Sequence, residues 1–172
     1  MKTDSDAQLE NLIQHVAETL LDHRHQLTTA ESCTGGWLAK CCTDLTGSSI
    51  WFDRGFVPYS NQAKQDLLSV SATTIEKYGA VSKETAIEMA EGALKNSQAS
   101  ISVAITGIAG PTGGTKIKPV GTVYFAFSIK NNPTISAQYL FKGDREMIRR
   151  QAVTTALEGI VKNARDTKHS MG

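Results

Sequence analysis

Two β-rich runs, Val120 to Ile129 and Thr134 to Phe141, are separated only by Lys130-Asn131-Asn132-Pro133. So short a polar connection leaves no length for a crossover and folds the two runs into an antiparallel hairpin. Upstream the pattern changes, and short β-favouring runs alternate with segments whose apolar residues recur at helical spacing. A chain that carries both patterns builds a mixed sheet with helices packed against it.

Leu9, Leu12, Ile13, Val16, Leu20 and Leu21 mark a first amphipathic helix. Leu27 to Ala30 reads as a strand, Glu31 to Gly36 as a glycine turn, and Trp37, Leu38, Cys41, Cys42 and Leu45 as the buried side of a helix. Trp51 to Tyr59 reads as a second strand, followed by a helix capped by Asn61 with Lys64 in its first turn. A short helix ends at Gly79, and Ser82 caps the next. Ser100 to Thr106 is a strand that runs into the glycine-rich loop Gly107 to Thr115, and Gly143-Asp144 caps a final helix with Arg145, Arg149 and Arg150 near its start. The expected fold is α/β, a single three-layer α/β/α domain with a mixed β-sheet over residues 1–172. Its core spans roughly residues 8–162, and its tail, 166–172, is expected to fray.

The 172 residues are 40% apolar and 20% charged, with a formal net charge of +1. That balance gives no basic surface for nucleic acid, and no apolar run approaches the ~20 residues a bilayer crossing needs. The polar start has no secretory pattern, so the expected compartment is the cytoplasm. Cys33, Cys41 and Cys42 form neither an even framework nor a CxxC pair; reduced thiols are expected, and no metal site. His15, His23 and His25 fall in or at the end of the first helix and His169 in the tail, which argues against a Ser/His/Asp triad.

Ligands of open α/β sheets gather at the carboxyl ends of strands, and three predicted strands end in polar turns. Ser32, Thr34, Gly35 and Gly36 follow the first; Tyr59 and Asn61 the second; Thr106, Gly107 and the glycine loop the third. Unpaired N–H groups at glycine-bearing helix starts favour an anionic ligand. Ser49, in the turn Gly47-Ser48-Ser49, can present an exposed hydroxyl, and Lys64 in a first helical turn can be held neutral to accept its proton, with Tyr59 as relay. Spacing leaves the plainer alternative open: a turn serine, a half-buried tyrosine and a solvated lysine.

Thr29-Ala30-Glu31-Ser32-Cys33-Thr34-Gly35-Gly36, Gly47-Ser48-Ser49, Gly55 through Lys64, Gly79-Ala80-Val81-Ser82, Thr106 through Pro111, Lys118 through Val123 and Gly143-Asp144-Arg145 resemble, in that order, the CinA C-terminal domain family. The resemblance implies metal-independent hydrolysis of nicotinamide mononucleotide to nicotinate mononucleotide and ammonia, with no cofactor, by a serine nucleophile. It implies Ser49, Tyr59 and Lys64 as the catalytic set, Thr106 and Gly107 at the carboxamide or oxyanion, Arg145 on the 5′-phosphate, and Ser32, Thr34, Gly35 and Gly36 completing the nucleotide pocket. A homodimer or other homo-oligomer is also implied. Pro58, before Tyr59, departs from the family's usual non-proline residue, and the loop Thr112 to Lys118 carries two lysines. A displaced Tyr59 would leave the alternative of a paralogue that binds a pyridine nucleotide without turnover.

Overall fold

The computed structural model describes residues 4–166. His169 and the tail from residue 167 onward lie outside the described residues. One five-stranded sheet has the order β2-β1-β3-β4-β5, built from β1 (Leu27–Glu31), β2 (Phe52–Phe56), β3 (Ile101–Gly107), β4 (Thr122–Ile129) and β5 (Ile135–Leu140). The strands β1, β2 and β3 are mutually parallel, whereas β4 runs antiparallel to β3 and forms the expected hairpin with β5. The sheet is therefore mixed, its parallel part supplied by helical connections.

Strand pleat decides which side each helix covers. Ile101, Val103 and Ile105 of β3 and Val123, Phe125, Phe127 and Ile129 of β4 point to one face. There they pack with α1 (Asp4–Asp22), α2 (Trp37–Asp44) and α6 (Arg145–Arg165). The alternate positions Ala30, Ala104 and Ala126 point to the other face, under α3 (Asn61–Leu68), α4 (Ala72–Tyr78) and α5 (Lys83–Lys95). Small residues there meet Ala86, Ala90 and Ala93, so α5 lies close enough for Ser102 Oγ to donate to Ala90 O at 2.6 Å. At its end α5 meets α3 so tightly that a Cβ on Gly92 would overlap the Leu68 carbonyl.

Three caps match expectation in place and kind: Gly79 ends α4, Ser82 Oγ accepts from Thr85 N, and the Asp144 side chain accepts from Met147 N. Strand ends shift by a residue or two elsewhere, and two boundary differences bear on the site. The second strand stops at Phe56 instead of continuing to Tyr59, because Val57 O accepts from Tyr59 N at 2.9 Å around Pro58. Such an inverse γ-turn requires a central φ near the value a proline ring imposes, and it ends the ladder. The cap of α3 is Ser60, whose Oγ accepts from Ala63 N, so Asn61 is the first helical residue and not the cap.

Candidate active site

Because β2, β1 and β3 are adjacent and parallel, the residues just beyond their carboxyl ends meet at one edge of the sheet. Ser32 is the first residue past β1; its N–H donates to Ile105 O at 2.9 Å, which fixes it against β3. Two positions after Ala30, it shares the face occupied by α3. Lys64 on α3 is buried at 2% exposure and reaches back over the strand end. Its Nζ lies 3.1 Å from Ser32 Oγ and donates to Pro58 O at 3.1 Å and more weakly to Tyr59 O at 3.5 Å. These groups line a cleft of about 270 Å³ with Cys33, Asn61, Ala80, Val81, Thr106, Gly107, Ala109 and Arg145.

Burial pushes the Lys64 ammonium below its ordinary pKa, with the adjacent Cys33 opposing the shift. No carboxylate pairs with it among the described residues. Nζ donates to Ser32 Oγ, Pro58 O and Tyr59 O, one acceptor for each N–H of the ammonium; once it loses a proton, its two N–H groups serve the two carbonyls and its lone pair faces the Ser32 hydroxyl. Cys33 is a poor nucleophile here, since burial pushes its thiol up to about 12.

The turn after Ser32 is held by a buried carboxylate. Glu31 is fully buried and accepts from Leu38 N at 2.7 Å and Ala39 N at 3.0 Å. Desolvation raises its pKa, offset by the N–H groups of Ala39 and Leu38, the Thr34 hydroxyl and the Gly36 N–H. Glu31 thus satisfies the first turn of α2, which has no side-chain cap at Gly36.

Several sequence expectations change against this geometry. Ser49 sits in a 3-10 turn, Ser48–Ile50, before the amino end of β2, whereas Tyr59 and Lys64 follow its carboxyl end. Five residues of strand, roughly 16 Å, lie between, so Ser49 does not meet Lys64, and the hydroxyl that does is Ser32. The Tyr59 side chain is 60% exposed, and its phenol oxygen accepts from Arg145 Nη2 at 3.4 Å. It is the Tyr59 backbone carbonyl that touches Lys64, so the phenol does not bridge serine and lysine. Thr106 Oγ1 donates to Ala80 O at 2.8 Å, so its proton holds the α4–α5 connection and is not free for an oxyanion.

Thr34, Gly35 and Gly36 do not line the cleft. The two glycines turn the chain at φ values of 59° and 97°, and the helix start they form already faces Glu31, which excludes a ligand anion there. Gly107 does line the cleft; a Cβ there would clash with Val123 and the Thr122 carbonyl. Arg145 is exposed at the rim, anchored by Nη1 to Gly110 O at 2.7 Å. His15 contacts Arg165, His23 its own helix at Thr19 O, and His25 Ser100, all away from the cleft. Glu31 went unassigned in the sequence. Its signal was an acidic residue closing a buried strand just before a helix that lacks a Ser, Thr, Asn or Asp cap.

The match to known proteins is extensive. The CinA C-terminal domain model matches residues 9–164. The chain is 49% identical over 154 residues to nicotinamide-nucleotide amidohydrolase PncC of Escherichia coli strain K12, covering 90% of this chain and 93% of that protein. It is 48% identical to the protein of the same name from Enterobacter agglomerans, covering 92% and 99%. The crystal structure of competence/damage inducible protein CihA from Agrobacterium tumefaciens superposes with a TM-score of 0.87 at 42% identity, covering 90% of this chain and 94% of that one. By sequence and by fold, this chain belongs to the CinA C-terminal domain family.

Proposed function

We propose that the chain is a nicotinamide-nucleotide amidohydrolase in which Ser32 is the nucleophile and Lys64 the base. The observation that carries this reading is the 3.1 Å approach of a buried lysine amine to a serine hydroxyl in a strand-end cleft; the names of the relatives supply the substrate class. Lys64 takes the Ser32 proton as Oγ attacks the carboxamide carbon, and the resulting ammonium returns that proton to the departing nitrogen. Ammonia leaves and an acyl-enzyme remains. Lys64 then deprotonates water, which attacks the ester carbonyl and releases nicotinate mononucleotide with Ser32 restored. No step calls on a metal or cofactor.

Arg145 at the rim presents a guanidinium suited to the 5′-phosphate, beside the Tyr59 phenol. The γ-turn at Pro58 supports catalysis over mere binding, because it aims the Pro58 carbonyl at Lys64. Three buried free cysteines fit a reducing compartment such as the cytoplasm. Ile135, Tyr139 and Leu140, exposed on the edge strand β5, fit self-association. Ammonia release from nicotinamide mononucleotide, with intact-mass detection of an acylated Ser32 peptide, tests the reading. Tight nucleotide binding with no ammonia from the native chain would make it a binding protein instead.

A further inference from the structure

Most polar side chains of the cleft are already engaged. Lys64 Nζ serves Ser32 Oγ and two carbonyls, Thr106 Oγ1 donates to Ala80 O, and Arg145 bonds Gly110 O and the Tyr59 phenol oxygen. The Tyr59 phenol keeps its own proton to donate, and the Cys33 thiol is a weak donor, but each acts from a single atom. Asn61 differs. Its side-chain amide has no hydrogen-bond partner among the described residues, and it carries a donor and an acceptor side by side.

The start of α3 explains why that amide is free. Ser60 takes the capping role, its Oγ accepting from Ala63 N at 3.0 Å, so the side chain of the first helical residue, Asn61, is not spent on the helix. Asn61 lies three positions before Lys64, and the two side chains leave α3 on one face. Side chains lean toward the amino end of a helix, and Lys64 does so far enough to reach Pro58 O and Tyr59 O, just before the first turn. The exposed Asn61 amide, one turn nearer that end, stands at the mouth of the cleft, outward of the buried amine.

A primary carboxamide carries the same pair of groups, a carbonyl acceptor and an NH2 donor on neighbouring atoms. Laid edge to edge with Asn61, its oxygen accepts from Nδ2 while its NH2 donates to Oδ1. That in-plane contact leaves the face of the carboxamide carbon open to Ser32 Oγ. The carboxylate produced by hydrolysis has acceptors only, so one of its oxygens would face Oδ1 with no proton between them. We propose that Asn61 selects the carboxamide over the carboxylate at this site, holding the amide edge of the substrate and favouring release of the acid. The inference rests on the amidohydrolase reading with Ser32 as nucleophile.

The test measures dissociation constants of nicotinamide mononucleotide and nicotinate mononucleotide in a Ser32→Ala background, where the amide is not consumed. Asn61→Leu removes both contacts, so amide affinity is expected to fall about tenfold with acid affinity within about threefold, and the preference for the amide shrinks. Asn61→Asp retains an acceptor for the NH2 group but sets a negative charge against the carboxylate, so the preference should grow about tenfold. Loss of folded protein, or disturbance of phosphate binding, moves both ligands together. Opposite shifts at one position require contact with the group in which the two ligands differ.

Opposite shifts in the two variants support the proposal, and a preference that is unchanged or that moves the same way in both overturns it. Ammonia release shows which assignment has failed. If the native chain releases ammonia, Ser32→Ala does not, and the preference ignores both Asn61 variants, Asn61 alone is misassigned. If neither nucleotide binds, or if Ser32→Ala still releases ammonia, the reading underneath fails and the proposal with it.

Discussion

Lys64 Nζ and Ser32 Oγ stand 3.1 Å apart across 32 positions of sequence, one carried by helix α3 and the other by the turn that ends β1. The lysine is buried while the tyrosine five residues before it is exposed, so the cleft has a dry base and a wet rim. A buried amine held by two carbonyls is under constraint both in position and in charge.

Ser32→Ala should abolish amide hydrolysis, with kcat reduced on the order of 10³-fold or more, since the nucleophile is lost outright. Ser49→Ala should leave kcat/KM within about twofold, because that hydroxyl lies beyond the opposite end of β2. Ammonia release by the two variants, alongside circular dichroism to confirm folding, decides between them. Activity lost only in Ser49→Ala would overturn the assignment.

Lys64 must be neutral to accept a proton, and burial lowers its pKa from 10.5. The rate of hydrolysis should therefore climb with pH through that depressed value and level off above it. Stability follows the same group. Between the folded pKa and 10.5 the unfolded chain binds more protons than the folded one, so stability rises with pH across that window. Below the folded pKa the penalty of the buried ammonium is present in full. Denaturant midpoints measured against pH should show this rise in the native chain and lose it in Lys64→Met.

Pro58→Thr should not improve the enzyme. The proline suits the central position of the Val57–Tyr59 γ-turn and its carbonyl accepts from Lys64. We expect kcat/KM within about threefold of native, and a loss of about 0.4–1 kcal/mol as the unfolded chain gains freedom. Steady-state kinetics and urea unfolding measure both. A tenfold gain in rate would show that the proline displaces the site.

Glu31→Ala should lower stability by about 2–3 kcal/mol, because two N–H groups of α2 lose their acceptor in the interior. Glu31→Gln retains one acceptor oxygen and should lose less. Chemical denaturation of the pair measures the difference; equal losses would mean that side-chain volume, and not the acceptor, is what matters.

Most of the fold was legible in the chain. Helical spacing marked α1, α2, α5 and α6, the short Lys130–Pro133 connection required the β4–β5 hairpin, and Gly79, Ser82 and Asp144 lie where their chemistry placed them. Lys64 was legible as a lysine in a first helical turn. Its partner was not. Ser49 and Ser32 are both turn serines within three residues of a glycine, and sequence distance favours Ser49, which is nearer to Lys64.

Local propensity and period thus determined which segments are strands and helices, since those depend on neighbours a few residues away. The order β2-β1-β3 and the parallel sense of those strands depend on contacts between residues far apart in the chain. Only that arrangement decided which strand ends share an edge. It set Ser32 beside Lys64, left Ser49 at the far end of β2, and pinned the turn after Ser32 with an arginine from α6. The sheet's polarity is a property of the assembled strands, and no stretch of sequence carries it alone.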